Sequence, residues 1–281
     1  MGLMRYVVPV TPPLVSVIIP TYGRPRFLLD AIESVSSQDY RPVELVVVDD
    51  CSPEPVQLGP THGLDVRVIR HARNMGPGAA RNSGVAHAKG EYVLFLDDDD
   101  LLQPGRLSLG VSGIGNAQMH ATESDPPGRR RFEGDMRATL LYGPLPQMGQ
   151  VLLRRADVLQ FDPTLRVSED VEWWIRMRDR AVFNWSSDIG VLIRQHPTPR
   201  PGVDADVRAA CRAAVVQRHI PVLDRRSRAY QLNRAASGAL QAGRRVQTVR
   251  YVLRSLVAMP SMLAIKLLGR SVLPDPLAAS E

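Results

Sequence analysis

Apolar positions along the first part of the chain switch between a continuous, strand-like pattern and a helical period, and each switch marks an element. Residues 14–19 (LVSVII) form an uninterrupted β-branched run, the pattern of a strand covered on both faces, and Pro20 ends it. Pro25 stands where a helix can begin, and Phe27, Leu28, Ala31, Ile32 and Val35 then recur at helical spacing. Residues 43–48 predict a second buried strand ending at Asp49 and Asp50, and residues 65–69 a short third one. Residues 76–88 read as a loop feeding a helix of small residues, and residues 92–96 as a fourth strand running into Asp97, Asp98, Asp99 and Asp100. Strands separated by helices imply right-handed crossovers and an α/β fold with a mostly parallel sheet. Polar or acidic residues close three of these strands at their carboxyl ends, the edge where open α/β sheets bind ligands.

Residues 110–149 contain 11 Gly or Pro in 40 positions and predict a long irregular segment, suited to a lid or specificity loop. Order resumes with a strand over 150–153, a short helix over 156–160, and a helix over 169–180 that carries Val171, Trp174 and Ile175 on one side. Residues 182–185 and 190–194 predict two further strands. From about residue 206 the chain reads as helical. Val246, Val249, Leu253, Leu256 and Val257 make an apolar stripe with Arg245, Arg250 and Arg254 around it.

Charge divides the chain in the same place. The 281 residues carry 35 basic and 29 acidic side chains, net +6, but residues 201–281 hold 13 basic against 5 acidic and the remainder 22 against 24. A near-neutral body therefore carries a basic tail, fit for nucleic acid, anionic lipid or an acidic partner, or simply for a solvated helical face. Two cysteines, Cys51 and Cys211, exclude a disulfide framework or a zinc ribbon and suit a reducing compartment. The first 13 residues do not read as a secretory signal, and the longest uncharged apolar run, residues 255–265, is 11 residues and contains Pro260. The expectation is a cytoplasmic protein.

Four groups of residues can carry chemistry. The apolar strand ending at Leu96 delivers four adjacent aspartates to the ligand edge, and in extended chain Asp97 and Asp99 point the same way. Their hard oxygens suit Mg2+ or Mn2+ bridging to a diphosphate, against the plainer reading of a solvated acidic turn. Asp50, after the second strand, can accept from a nucleobase or ribose, or can serve only its own turn. Residues 74–82 (NMGPGAARN) put glycines ahead of a helix, where backbone N–H groups and Arg81 can meet an anion, but lack the third glycine of a dinucleotide fingerprint. Residues 168–174 (SEDVEWW) set carboxylates at a helix entrance beside aromatic rings, an arrangement for a general base near a sugar or for complementing the helix dipole, and Glu172 fits the second role. His196 can add a metal or phosphate contact.

Taken in order, residues 15–24 (VSVIIPTYGR), 43–53 (VELVVVDDCSP), 74–84, the Asp97–Asp99 pair and residues 168–174 resemble the family 2 inverting glycosyltransferases. Gly23 stands where asparagine is commonest in that family. The resemblance spans roughly residues 14–196. It implies a GT-A (Rossmann-like) fold, with residues 14–200 as catalytic domain and residues 206–281 as a basic helical C-terminal extension.

The resemblance further implies a nucleotide-sugar pocket of Pro20, Thr21, Tyr22, Asp50, Arg81 and Asp98, and a metal site of Asp97, Asp99 and His196 for Mn2+ or Mg2+. It makes Asp170 the catalytic base and Glu169, Trp173 and Trp174 the contacts to acceptor or sugar. The implied partners are a nucleoside-diphosphate sugar, UDP foremost with GDP or dTDP as alternatives, and a glycan or lipid-linked acceptor. A sugar nucleotidyltransferase and a non-catalytic glycan-binding or scaffold protein remain the competing readings; a lysine-bearing activation motif near the first strand is absent, and the chain has only Lys89 and Lys266. For the tail, an interfacial helix at the inner face of the plasma membrane competes with packing on the catalytic domain or in a homo-oligomer. Nucleic acid is the least favoured partner.

Overall fold

The computed structural model describes residues 11–126, 145–178, 180, 182–194 and 204–272. Its first half follows the apolar pattern. Strand β1 (Val15–Thr21) is buried along its whole length, as is β2 (Val43–Asp49), and helix α1 (Pro25–Ser36) connects them. Strand β3 (Asp65–Arg70) is an edge strand and correspondingly more exposed. Helix α2 (Pro77–His87) leads to β4 (Tyr92–Phe95). The four strands stand in the order β3-β2-β1-β4, all parallel, so the carboxyl ends of β1, β2 and β4 lie side by side.

The second half of the sheet departs from the parallel expectation. Short β5 (Leu101–Leu102) is followed by helix α3 (Arg106–Ile114), β6 (Met119–Asp125), β7 (Val151–Arg154) and β8 (Phe183–Leu192). The full order is β3-β2-β1-β4-β7-β6-β8-β5, with β7 antiparallel to both β4 and β6 and β5 antiparallel to β8. The sheet is thus mixed, and parallel pairing keeps only a narrow majority. Strand β8 takes in both predicted strands, 182–185 and 190–194, and pairs with β6 through two register shifts.

Two elements within the glycine-rich segment escaped the sequence reading. Helix α3 runs to Ile114 and β6 starts at Met119, because the glycines there serve close packing rather than irregularity. A Cβ at Gly113 would lie 2.4 Å from the His120 ring, and one at Gly110 would lie 2.7 Å from Arg106 Nη1. Residues 127–144 of that segment lie outside the described residues. The helix expected over 156–160 is only a 3-10 turn at Arg155–Asp157.

One core lies on each face of the sheet. On the first, Leu28, Ala31, Ile32 and Val35 of α1 pack against β1 and β2. On the second, Phe95 meets Phe161 edge-on at 5.5 Å, Phe161 stacks on Trp173 at 5.2 Å, and Trp173 meets Trp174 at 4.7 Å. The two tryptophans belong to helix α4 (Glu169–Met177). Beyond the sheet, α5 (Ala205–His219), α6 (Arg225–Gln241), α7 (Arg245–Ala258) and α8 (Met262–Val272) bury a separate core around Leu232, Ala236 and Val252. They join the body through a smaller cluster in which Leu165, Val171 and Ile175 meet Cys211, Val215 and Leu223.

Glu172 reinforces that junction, a larger role than the helix-dipole partner the sequence suggested. Its buried carboxylate accepts two bonds from Arg176 at 2.8 Å and lies 2.9 Å from His219 Nε2 of α5. Burial works against its charge, but the His219 and Arg176 contacts outweigh it and hold its pKa below the usual glutamate value. A depressed acid pKa stabilises the fold above the unfolded-state value and loses that effect as pH falls through the folded one. Glu172→Gln is therefore expected to cost about 1–2 kcal/mol at pH 7, with the difference from wild type shrinking toward pH 3. Urea unfolding at several pH values measures this, and a difference that grows toward acid pH would contradict it.

Candidate active site

The site forms where the parallel strands end. A cavity of about 490 Å3 is lined by Pro20 and Thr21 at the end of β1, Tyr22 just after it, Asp50 after β2, and Asp97 and Asp98 after β4. Glu169 and Asp170, at the start of α4, line it as well. Strand ends and the helix dipole account for this convergence: β1, β2 and β4 each hand over from apolar residues to polar ones at the same sheet edge, and α4 opens with three acidic residues in its first turn.

The four aspartates do not continue the strand. The backbone N–H of Asp100 donates to the Asp97 carbonyl at 3.0 Å, closing a turn that folds Asp100 back toward Asp97 and Asp99. One carboxylate oxygen from each of Asp97, Asp99 and Asp100 lies within 4.8 Å of the others. Three hard anionic donors in that space fit a divalent cation such as Mg2+ or Mn2+. Asp100 was missed as a third donor because alternation along an extended strand selects only Asp97 and Asp99. Asp98 is engaged separately: Thr21 Oγ1 donates to it at 2.7 Å and Arg24 Nη1 at 3.3 Å. Burial pushes its pKa up to about 6, against the pull of the Thr21 hydrogen bond. Arg24 also pairs with Asp99, so its guanidinium and a bound cation would compete for the same carboxylate.

Arg81 is the hinge pin of the site. It projects from α2, is 2% exposed, and donates to Asp97 at 2.7 Å and to Glu169 at 2.8 Å. Its guanidinium also lies 5.4 Å from the Phe161 ring centroid. Burial opposes its charge, but the two carboxylates more than compensate and raise its pKa. Glu169 is pushed up by burial and by the neighbouring Asp170 carboxylate, against the pull of Arg81.

Asp50 likewise does structural work, since the N–H groups of Met75 and Gly76 each donate to it at 2.7 Å and His71 Nδ1 lies at 2.7 Å. These bonds shape the loop that starts α2. The far side of the same loop is held by Arg166, which donates to the Asn74 carbonyl at 2.9 Å.

Two expected contacts do not reach the cavity. Trp173 and Trp174 are 0% exposed and donate through their indole N–H groups to Leu159 O at 2.7 Å and Pro146 O at 3.0 Å. They form core rather than a sugar platform, because the face of α4 that bears them turns into the sheet. His196 lies outside the described residues. Conversely, the sequence reading passed over Arg208, Arg212 and Arg234, which line the same cavity from α5 and α6. The spacing of four between Arg208 and Arg212 put both on one helix face, a signal visible only as part of the tail's charge excess.

Comparison with known proteins matches this geometry. Residues 16–120 fit the model of glycosyl transferase family 2. That segment belongs to glycosyl transferase family 2. It holds β1, β2, β4 and the aspartate turn, and therefore the whole sheet-edge half of the cavity. The putative colanic acid biosynthesis glycosyl transferase WcaA of Escherichia coli is 42% identical over 113 residues, covering 39% of this chain and 40% of that protein. The chain thus spans less than half the length of this curated relative. Staphylococcus aureus TarS 1-349, in a complex with UDP-GlcNAc, superposes with a TM-score of 0.63 at 18% identity, over 92% of this chain and 88% of that one. The mannosyltransferase PcManGT of Pyrobaculum calidifontis, in a complex with GDP-Man and Mn2+, gives 0.51 at 18% identity over 93% and 80%. The family 2 segment and the helical extension together therefore adopt the GT-A-like fold that the resemblance implied.

Removing the guanidinium should leave the buried Glu169 carboxylate, and the partly exposed Asp97 one, without their bonds to Arg81. Arg81→Leu is expected to cost about 3–5 kcal/mol, read as a lowered urea midpoint with an unchanged slope. A loss below about 1 kcal/mol would mean that Asp97 and Glu169 are held by other groups.

Proposed function

We propose that this protein is a metal-dependent inverting glycosyltransferase that moves a sugar from a nucleoside diphosphate to an acceptor hydroxyl. The observation that carries the reading is the convergence, in one cavity of a family 2 chain, of the aspartate turn after β4 with Asp170 at the entrance of α4. A cation held by Asp97, Asp99 and Asp100 would offset the charge that develops on the diphosphate leaving group. Pro20, Thr21, Tyr22, Asp50 and Asp98 line the part of the cavity suited to the nucleotide, with Arg81 as the residue that positions Asp97 and Glu169 around it. UDP is the favoured nucleotide, and the complexes of TarS with UDP-GlcNAc and of PcManGT with GDP-Man support a donor of this class.

Asp170 takes the proton of the acceptor hydroxyl as its oxygen bonds to the anomeric carbon. The bond from that carbon to the diphosphate oxygen breaks on the opposite face, so the configuration inverts. Asp170 is better suited to this role than Glu169, whose carboxylate is already committed to Arg81. The name of WcaA supports an acceptor in envelope polysaccharide synthesis.

The extension supports a location at a membrane surface. Among the described residues, no helix is long and apolar enough to cross a bilayer. The face of α7 carrying Val246 and Val257 is nonetheless 79% and 81% exposed at those residues, Leu253 lies on it, and Met262, Leu263 and Ile265 of α8 are exposed as well. The buried face of α7 is a different one, made by Thr248, Tyr251, Val252 and Ser255. Arg250 and Arg254 are exposed beside the apolar patch, the combination that binds an anionic interface.

Two experiments test these readings. With a UDP-sugar and Mn2+, Asp99→Ala is expected to abolish the metal-dependent part of donor hydrolysis and transfer. Asp170→Asn should lower transfer about 10²–10⁴-fold with donor affinity nearly unchanged; transfer at the wild-type rate would remove Asp170 from the base role. For the extension, the chain should co-sediment with phosphatidylglycerol-containing vesicles at low salt and lose this with Val257→Asp. Absence of co-sedimentation by the wild-type chain would overturn the membrane reading.

A further inference from the structure

The cavity has a second chemical character beside its carboxylates. Arg208 and Arg212 of α5 and Arg234 of α6 line it, together with Arg166 of the loop before α4. Among the described residues no ion pair joins Arg166, Arg212 or Arg234 to a carboxylate: Arg166 bonds Asn74, Arg212 donates to the Arg234 carbonyl at 3.3 Å, and Arg234 lies over the Tyr230 ring at 6.0 Å. The Nε of Arg212 is buried with no acceptor. Burial first, and then the charges of Arg234 and Arg208, hold the Arg212 pKa below the ordinary arginine value. Like charges are therefore gathered at a cost to one another, which a bound anion would remove. The packing accommodates this arrangement: a Cβ at Gly238 would lie 3.1 Å from Arg212 Cδ, so the glycine leaves room for the side chain to cross α6.

We propose that Arg208, Arg212 and Arg234 form an anion subsite for a phosphate group carried by the acceptor. This deepens the transferase reading and rests on it. Guanidinium forks suit the several oxygens of a phosphate, and three of them match its double charge better than a single carboxylate. The position favours the acceptor over the donor. Val207 and Cys211, the residues just before Arg208 and Arg212, pack with Leu165, Val171 and Ile175 around the start of α4. Helix α5, which carries Arg208 and Arg212, is therefore packed against the residues around α4, the helix whose first turn brings Asp170 to the cavity, whereas the donor diphosphate has the aspartate turn after β4. An acceptor whose phosphate engages these arginines would present its hydroxyl on the side of the base.

The test uses the full chain and glycerol 3-phosphate as probe, by calorimetry at low salt without divalent cations. The expected result is a saturable site that Arg212→Gln or Arg234→Gln weakens about tenfold or more. Its affinity should stay within about twofold when UDP and Mn2+ are present at saturation. Failure of the wild type to bind, equal binding by both variants, or displacement of the probe by UDP would each overturn the proposal, the last by assigning the arginines to the donor. Should Arg212→Gln fail to fold by circular dichroism, Arg234→Gln, at a half-buried position, carries the comparison. Donor hydrolysis followed separately with UDP-sugars and Mn2+ reports on the transferase reading alone, so the two can fail independently.

Discussion

The site depends on one buried guanidinium. Arg81 comes from α2, Asp97 from the turn after β4 and Glu169 from the start of α4, so a single side chain ties together elements up to 88 residues apart in sequence. A lone buried charge is costly, and a buried and a partly buried carboxylate facing the same space would be more so. Together they are tolerable only with near-complete hydrogen bonding. That requirement fixes the entrance of α4 against the sheet edge and, with it, the relation between Asp170 and the aspartate turn. Phe161 completes the setting, since it touches the guanidinium on one side and stacks on Trp173 on the other. The aromatic core beneath the sheet is thus the support on which the polar site rests.

The parallel half of the sheet was legible because its signals are local. Uninterrupted apolar runs identify strands buried on both faces, and the residues that follow them mark the ligand edge, so Thr21, Asp50 and Asp97 could be grouped before any coordinates. The reading failed where a local cue had two physical causes. Gly110 and Gly113 looked like loop residues, yet they allow α3 to press against Leu152 and His120 and leave room for its own Arg106 side chain. The aspartates after Leu96 looked like the end of a strand, yet the chain turns there and brings in Asp100. Trp173 and Trp174 sit beside catalytic candidates in sequence, but helical geometry sends adjacent residues in different directions. Glu169 and Asp170 reach the cavity while the indoles enter the core.

Arginines from α5 and α6 in the cavity were beyond the sequence for a different reason. They lie on helices whose docking is decided by a few apolar residues, Cys211, Val215 and Leu223, that carry no distinctive pattern. Only the folded arrangement separates the tail's basic residues by direction. Arg208, Arg212 and Arg234 face the cavity, while Arg250 and Arg254 lie exposed beside the uncovered apolar face of α7.

The net charge therefore conceals a division into three fields. Carboxylates crowd the sheet edge and are held by Arg24 and Arg81; a cationic wall from α5 and α6 lines the same cavity; and a second cationic group borders exposed hydrophobic surface outside it. Opposite fields within one cavity would draw a cation to one wall and an anion to the other, and so can orient a substrate pair with little recourse to shape. The outer arginines act at a distance set by salt, about 8–10 Å at physiological ionic strength, whereas the inner ones are shielded from it. Salt should consequently weaken surface attachment well before it weakens recognition inside the cavity, which separates where this chain resides from what it holds.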